Sequence, residues 1–95
     1  MPRYITLIRF TEQGAKHIKQ STARARAFAE TVAKAGIKVE GQYWTIGNYD
    51  GALVLSADSE RKVLHALAEL GAGGSVRTET LQAFDAKEFE AIIGG

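Results

Sequence analysis

The sequence contains no cysteine among its 95 residues. This absence excludes disulfide bonds, thiolate nucleophiles and cysteine-ligated metal sites, and it is typical of proteins that fold in the reducing cytoplasm. The first residues also lack the basic segment followed by an apolar one that a secretory leader requires. We therefore predict a cytoplasmic protein without a leader.

Histidine is nearly as scarce. His17 and His65 are the only two, and they lie in separate predicted helices. Neither occurs in a His-x-x-x-His, His-x-His or Glu-x-x-His spacing. The sequence therefore predicts no metal site and no cofactor.

Long apolar runs and a strong charge of one sign are absent as well. No apolar run approaches the roughly 20 residues needed to cross a bilayer. The formal net charge is only +1, and the segment from Val76 to Phe84 lacks the aromatic and basic pattern of RNA-recognition sheets. Residues 71–74 are rich in glycine but follow a helix, so they do not fit a phosphate-binding loop. We expect neither a membrane nor a nucleic-acid partner.

The composition that is present, 45% hydrophobic and 24% charged, is typical of a soluble globular domain. A chain of this length supports one compact domain, which we place at residues 1–95. Such a small domain buries a modest fraction of its surface, so association with a second copy would stabilise it.

Four segments are rich in β-branched and aromatic residues, and three have helical periodicity. The predicted strands are Arg3 to Phe10, Ile37 to Ile46, Ala52 to Ala57 and Ser75 to Phe84. The predicted helices run from about Ala15 to Ala35, from Asp58 to about Leu70 and from Ala86 to Ile93. The expected N-caps are Thr11, Asp58 and Asp85, and Gly36 is expected to end the first helix in a left-handed conformation.

The helical stripes can also be predicted. In the first helix a solvent face carries Lys16, Lys19, Arg24, Arg26 and Lys34, and the packing stripe consists of Ile18, Ser21 or Thr22, Ala25, Phe28 or Ala29, and Val32. In the second helix, Val63, Leu64, Leu67 and Leu70 form the apolar stripe. In the last helix, Phe89, Ile92 and Ile93 are expected to dock against the rest of the chain.

This order of elements predicts an α+β fold, a ferredoxin-like βαββαβ sandwich with a short C-terminal helix. Two helices cover only one face of a four-stranded sheet, yet the central strands are apolar toward both faces. We therefore expect a second copy to cover the open face, sheet against sheet. The alternation of residues leaves open whether Leu53 and Leu55 or Ala52 and Val54 face the helices.

The stretch from Gly41 to Leu55 holds the only tryptophan and two of the three tyrosines. It predicts two strands joined by a tight turn at residues 47–51, with a bulge or a close backbone approach at Gly41. Asn48 and Gly51 are the residue types that tolerate positive φ in such a turn.

Aromatic residues of this hairpin are candidates for ligand contacts. Tyr43 and Trp44 point to opposite faces of their strand, and each either packs in a core or interface or lines a ligand cavity. Tyr49 in the turn is either a packing lid or a ligand contact.

Two charged residues are the remaining candidates. Asp50 could act as an acid or base if burial raised its pKa, but aspartate in a turn more often bonds its own backbone. Arg77 could bind an anion, or it could pair with Glu79 on the same face of its strand.

Three motifs resemble the GYD-domain family: Tyr-Trp-Thr-Ile-Gly-Asn-Tyr-Asp at 43–50, Thr-Glu-Gln-Gly at 11–14 and Val-Arg-Thr-Glu-Thr-Leu at 76–81. Asn48 separates Gly47 from Tyr49, so the literal Gly-Tyr-Asp triplet is absent. The resemblance implies a mostly bacterial, functionally uncharacterised family within the dimeric α+β barrels. That wider group includes cofactor-independent monooxygenases, dismutase-like haem enzymes and ligand-binding regulatory modules, but no catalytic motif of theirs matches here.

From these observations we predict a homo-oligomeric module that binds a small molecule in a pocket near the 43–50 hairpin. The candidate contacts are Tyr43, Trp44, Tyr49, Asp50 and Arg77. One alternative is a cofactor-independent monooxygenase-like enzyme with Asp50 as its base. Another is an assembly module without a ligand site. The sequence does not decide whether the protein is an enzyme.

Overall fold

A computed structural model describes residues 1–94, which form four strands and four α-helices. The strands are β1 (Arg3–Phe10), β2 (Lys38–Trp44), β3 (Gly51–Ser56) and β4 (Val76–Ala83). The helices are α1 (Glu12–Lys16), α2 (Ser21–Ala33), α3 (Glu60–Ala72) and α4 (Ala86–Ile93), with a 3₁₀ turn at Ile18–Gln20. None of these helices combines the length and the apolar character that crossing a bilayer requires.

The strands pair antiparallel in the order β2-β3-β1-β4. With one crossover helix after β1 and another after β3, this is the predicted ferredoxin-like α+β fold. The two longest helices lie on the same side of the sheet, where α2 packs against β2 and α3 against β4.

The core lies between the sheet and these helices. Tyr4 stands opposite Leu55 and Thr6 stands opposite Leu53, and all four side chains are buried. Leu53 and Leu55 therefore face the helices, which settles the alternative that the residue alternation left open. The buried apolar cluster consists of Tyr4, Val32, Ile37, Leu53, Leu55, Ala57, Val63 and Ala66.

The other side of the sheet, here called the open face, carries the residues between these core positions. Ile5 stands opposite Val54 and Leu7 opposite Ala52, and all four side chains are only half-buried. At its edges Tyr43 is 59% exposed and Leu81 is 47% exposed. The open face is therefore apolar at its centre and accessible in the single chain.

The first predicted helix differs most from expectation, because it is divided in two. Thr11 accepts a hydrogen bond from the Gly14 N–H and so begins α1 earlier than predicted. The Thr11 N–H in turn donates to the carbonyl of Ser75, which joins this helix start to the beginning of β4. The helix breaks at His17, whose φ of −109° and ψ of 38° are not helical, and α2 begins at Ser21 after the 3₁₀ turn.

The second predicted helix begins one residue later than expected. Ser59 rather than Asp58 occupies the N-cap, without a side-chain bond, and Asp58 instead pairs with Lys62 at 3.3 Å. Its buried face is also rotated about the helix axis relative to the predicted one: Ala66 is buried in the core, whereas Leu64 is 70% exposed.

Local signals predicted several other features correctly. Gly36 has a positive φ of 89° after α2, and Asp85 caps α4 in a capping box with Glu88. The β2–β3 register shifts between Val39 and Gly41, as expected for a bulge. In the turn, however, it is Gly47 that has positive φ, not Asn48 or Gly51, and Gly51 is the first residue of β3.

Two apolar segments predicted to be part of strands or core lie in solvent. Ile46 is fully exposed in the hairpin loop rather than paired in β2. On α4, Phe89, Ile92 and Ile93 are 56%, 62% and 61% exposed, so the expected docking does not occur within the single chain. Preceding α4, Phe84 is also 51% exposed.

Candidate functional site

A cleft of about 690 Å³ separates α2 from α3 above the central strands β1 and β3. It forms because the two helices pack over opposite edge strands of the sheet. Apolar side chains supply most of its surface, namely Ile8, Phe10, Phe28, Val32, Leu53, Ala66, Leu70 and Val76. The volume falls in the range of roughly 300–1,000 Å³ that is usual for small-molecule sites.

Polar groups of β2 and α2 meet at one side of this cleft. The Trp44 Nε1–H donates to Ser21 Oγ at 2.9 Å, and the Gln42 side-chain amide donates to the Ala25 carbonyl at 2.9 Å. Both bonds hold α2 against β2. Trp44 is 48% exposed, so one part of the indole faces the protein while the rest meets solvent.

Arg24 also lines the cleft. Its Nη1 donates to the His17 carbonyl at 3.0 Å, while its Nη2 is buried and has no hydrogen-bond partner among the described residues. Within residues 1–94 no carboxylate lies within ion-pair distance of this guanidinium. The cleft therefore contains a cationic group whose hydrogen-bonding capacity is only partly used.

The α3 side of the cleft carries charged residues of both signs. Arg61, Lys62, His65 and Glu69 contribute to this wall. The His65 imidazole lies 3.1 Å from the Glu69 carboxylate, and Lys62 forms an ion pair with Asp58. The wall is thus polar where these exposed side chains meet solvent.

Tyr49 and Arg77 lie on the other side of the sheet. The Tyr49 ring covers the guanidinium of Arg9 at 4.8 Å, and its hydroxyl donates to Glu79 at 2.9 Å. Arg77 stands opposite Arg9 in the β1–β4 register. Together with Leu7 these residues border a small groove of about 130 Å³ in the open face.

Asp50 forms hydrogen bonds to the end of β1 at the start of β3. Its carboxylate accepts the Phe10 N–H at 2.8 Å, and its own N–H donates to the Ile8 carbonyl at 2.8 Å. The side chain thereby adds one hydrogen bond to the end of the β1–β3 pairing instead of bonding to the backbone of its own turn. Asp50 is not among the residues that line the cleft.

The five residues singled out in the sequence therefore do not form one cluster. Tyr43 and Trp44 border the cleft, although the Tyr43 ring lies over Gly41 on the open side. Tyr49 and Arg77 belong to the open face, and Asp50 is bound to the end of β1 and borders neither the cleft nor the small groove. Their roles in ligand binding stay predictions.

Sequence reasoning missed Arg24 because it was assigned to a solvent face. The signal was present in the spacing, since Arg24 lies three residues after Ser21 and four before Phe28. Both of those residues line the same cleft. A cation on a packing stripe is the pattern that could have identified it.

Taken together, the sheet order, the one-sided helices and the cleft define a ferredoxin-like α+β sandwich with an uncovered sheet face. Residues 4–93 match the GYD domain family, and the chain belongs to that family. This confirms the resemblance that the three motifs indicated.

Two comparisons match this chain to proteins of Thermus thermophilus, one by sequence and one by structure. One, named glutamine synthetase and cystathionine beta-lyase binding protein, is 30% identical over 94 residues, covering 98% of this chain and 99% of the relative. The other is known from the crystal structure of TTHA0845, with a TM-score of 0.57 and 26% identity. That match covers 90% of this chain and 96% of the solved one, and it supports the α+β fold described above.

Proposed function

We propose that this protein is a homo-oligomeric binding module that associates with other proteins. The observation that carries the proposal is the end-to-end match, 98% of one chain and 99% of the other, to a relative named for binding two enzymes. Glutamine synthetase and cystathionine β-lyase of the organism that encodes this chain are therefore the first partners to test. A cytoplasmic location, proposed from the lack of cysteine, is compatible with such partners.

The surface that we assign to the partner is the C-terminal patch, formed by Phe84, Phe89, Ile92 and Ile93. These side chains are between 51% and 62% exposed. Residues 89, 92 and 93 follow the i, i+3, i+4 spacing by which an amphipathic helix inserts into an apolar groove of another protein. The capping box of Asp85 and Glu88 stabilises α4, so the helix can form before it binds.

The test is to titrate each purified enzyme with this protein and to measure complex formation by light scattering and biolayer interferometry. Replacing Phe89 and Ile92 by serine should weaken binding by at least about tenfold, because two apolar anchors no longer leave water. Leu64→Ser is the matched control, since Leu64 is 70% exposed on α3. If neither enzyme binds the unmodified chain, the assignment of partners is wrong; if the double variant binds normally, the assignment of the surface is wrong.

Self-association is proposed at the open face. Ile5, Leu7, Ala52 and Val54 form its apolar centre, and an apolar patch on a small soluble domain usually marks an interface. A second copy supplies a face of the same shape and character through two-fold symmetry. This arrangement would give the dimeric form of the fold and leave the cleft free.

A second candidate function is the binding of a small molecule in the cleft. The cleft volume of about 690 Å³ favours it, as does the position of Trp44 at the border. Ligand binding would change the fluorescence of this single tryptophan, so a titration against a panel of metabolites tests the idea. A panel that leaves both the fluorescence and the melting temperature unchanged would favour a module without a ligand site.

A cofactor-independent monooxygenase with Asp50 as base stays a prediction. Asp50 already accepts the Phe10 N–H and does not line the cleft. Because no specific observation favours an enzymatic reaction, we do not extend the proposal to one.

A further inference from the structure

We infer that the cleft between α2 and α3 binds a carboxylate with an apolar body, and that Arg24 receives the carboxylate. The inference rests on the second candidate function, that the cleft holds a small molecule, and it names the chemical class of that molecule.

The surface of the cleft favours a ligand with an apolar body. The floor of the cleft consists of Ile8, Phe10 and Leu53 from the central strands, and Phe28 contributes from α2. A strongly hydrated ligand would lose its water against these side chains without gaining hydrogen bonds. An alkyl or aryl group instead gains from leaving water.

A carboxylate suits Arg24, which lines the cleft and whose guanidinium must turn toward it to meet a ligand, since Nη2 is not exposed to solvent. Its Nη2 is buried without a partner, while Nη1 is satisfied by the His17 carbonyl. A buried donor that is left without an acceptor is costly, and a charged one more so. A carboxylate is the planar, singly charged acceptor that a guanidinium binds best, and it balances the single charge of Arg24.

The start of α2 strengthens this preference for an anion. Gln20 at its N-cap makes no side-chain bond, and its first turn contains no acidic residue. The positive end of the helix is therefore not compensated by a side chain of its own. Arg24 lies in the same turn, so both groups attract negative charge to one end of the cleft.

The opposite wall favours an anion less strongly. Arg61 and Lys62 add positive charge there, while Glu69 adds one negative charge and contacts His65. Lys62 is paired with Asp58 and Arg61 is exposed to solvent, whereas Arg24 is partly buried, so Arg24 is the cation of the cleft that we expect to govern ligand choice.

The test uses three probes, decanoate, 1-decanol and acetate. Decanoate has both the charge and the chain, 1-decanol has the chain alone, and acetate has the charge alone. Each is titrated into the protein below its solubility limit while Trp44 fluorescence and calorimetric heat are recorded. We expect decanoate to bind at least about tenfold more tightly than either control, because a charged hydrogen bond contributes that much.

Substitutions identify the group that selects the charge. Arg24→Gln should weaken decanoate binding about tenfold or more and leave 1-decanol binding unchanged. Arg24→Lys should give an intermediate affinity, since it keeps the charge but not the two parallel bonds. Arg26→Gln is the matched control, because Arg26 is exposed on the same helix and does not line the cleft.

The outcomes separate the inference from the proposal on which it rests. Equal binding of decanoate and 1-decanol, lost when the cleft is filled by Ala25→Phe, would overturn the carboxylate assignment but support a ligand site in the cleft. Absence of binding by decanoate would also overturn it. An Arg24→Gln variant that binds decanoate normally, with circular dichroism and melting temperature unchanged, would show that Arg24 is not the receiving group.

Discussion

At the scale of single residues, Gly14 in α1 lies in close contact with the backbone just before β4. A Cβ at this position would lie 2.0 Å from the carbonyl oxygen of Ser75, which is backbone and cannot move aside easily. The Thr11 N–H donates to the same carbonyl at 3.0 Å. A glycine is therefore needed here for space, not for an unusual φ.

We expect Gly14→Ala to lower the free energy of unfolding by about 1–3 kcal/mol, the usual cost of overpacking. Gly71→Ala is the matched control, because nothing lies within 4 Å of the added methyl group in α3. That change should raise stability by up to about 1 kcal/mol, since alanine restricts the unfolded chain more than glycine does. Urea denaturation of both variants measures the difference, and equal stabilities would contradict the close contact.

Tyr4 is the buried residue whose ionisation should affect stability. Burial raises the pKa of its hydroxyl, and the nearby Glu60 carboxylate raises it further. The hydroxyl is protonated in both states below about pH 10, where its contribution is fully present. As the pH rises further, the unfolded chain ionises first, and the folded state loses this contribution until the pH reaches the higher folded pKa.

The wild type should therefore lose stability above about pH 10 more steeply than Tyr4→Phe. Near neutral pH we expect Tyr4→Phe to be about as stable as the wild type or more so, since the buried hydroxyl has no hydrogen-bond partner among the described residues. Melting temperatures from pH 7 to 11 for both proteins measure the two effects. Parallel curves would contradict the link between Tyr4 and alkaline unfolding.

At the scale of elements, Asp50 joins the β2–β3 hairpin to the end of β1. Its carboxylate satisfies the Phe10 N–H, which would otherwise lose its acceptor where β3 begins. Asp50→Ala should lower the free energy of unfolding by about 1.5–3 kcal/mol, the range for hydrogen bonds to charged groups. Asp50→Asn should cost less, because the amide oxygen still accepts. Amide exchange at Phe10 provides the local measurement, and unchanged protection in Asp50→Ala would show that the bond is dispensable.

Features of single elements were predictable where a local rule decides them. Gly36 ends α2 because glycine tolerates positive φ, and Asp85 begins α4 because its side chain reaches the Glu88 N–H. Leu64 and Arg24 were misassigned because helical spacing predicts a stripe but not its rotation about the axis. That rotation depends on which strand the helix packs against, and only the tertiary structure decides it.

At the scale of the whole molecule, the order of strands and helices was enough to predict the sheet. Antiparallel pairing and right-handed crossovers leave few other arrangements. The cleft could not be located in the same way, because it arises from the separation of α2 and α3. Side chains from two helices and all four strands line the cleft, and no single pattern in the sequence predicts how they pack together.

The open face leads to a prediction about the oligomeric state of the protein. Val54 lies at its centre, opposite Ile5 on β1 and Gly41 on β2, and is half-buried in the single chain. If a second copy covers this face, Val54 becomes fully buried against the partner. The unmodified protein should then sediment as a dimer at micromolar concentration.

Val54→Glu should shift that equilibrium strongly toward monomer, because each dimer would bury two carboxylates without partners, at a cost of several kcal/mol. The monomer should keep its fold, since the side chain at this position still reaches water in the single chain. Leu64→Glu, which adds the same charge at an exposed position on α3, should leave the dimer intact. Analytical ultracentrifugation over a range of concentrations measures all three proteins. A wild type that stays monomeric, or a Val54→Glu variant that dimerises normally, would remove the open face as the site of self-association, because only burial of that face links this substitution to assembly.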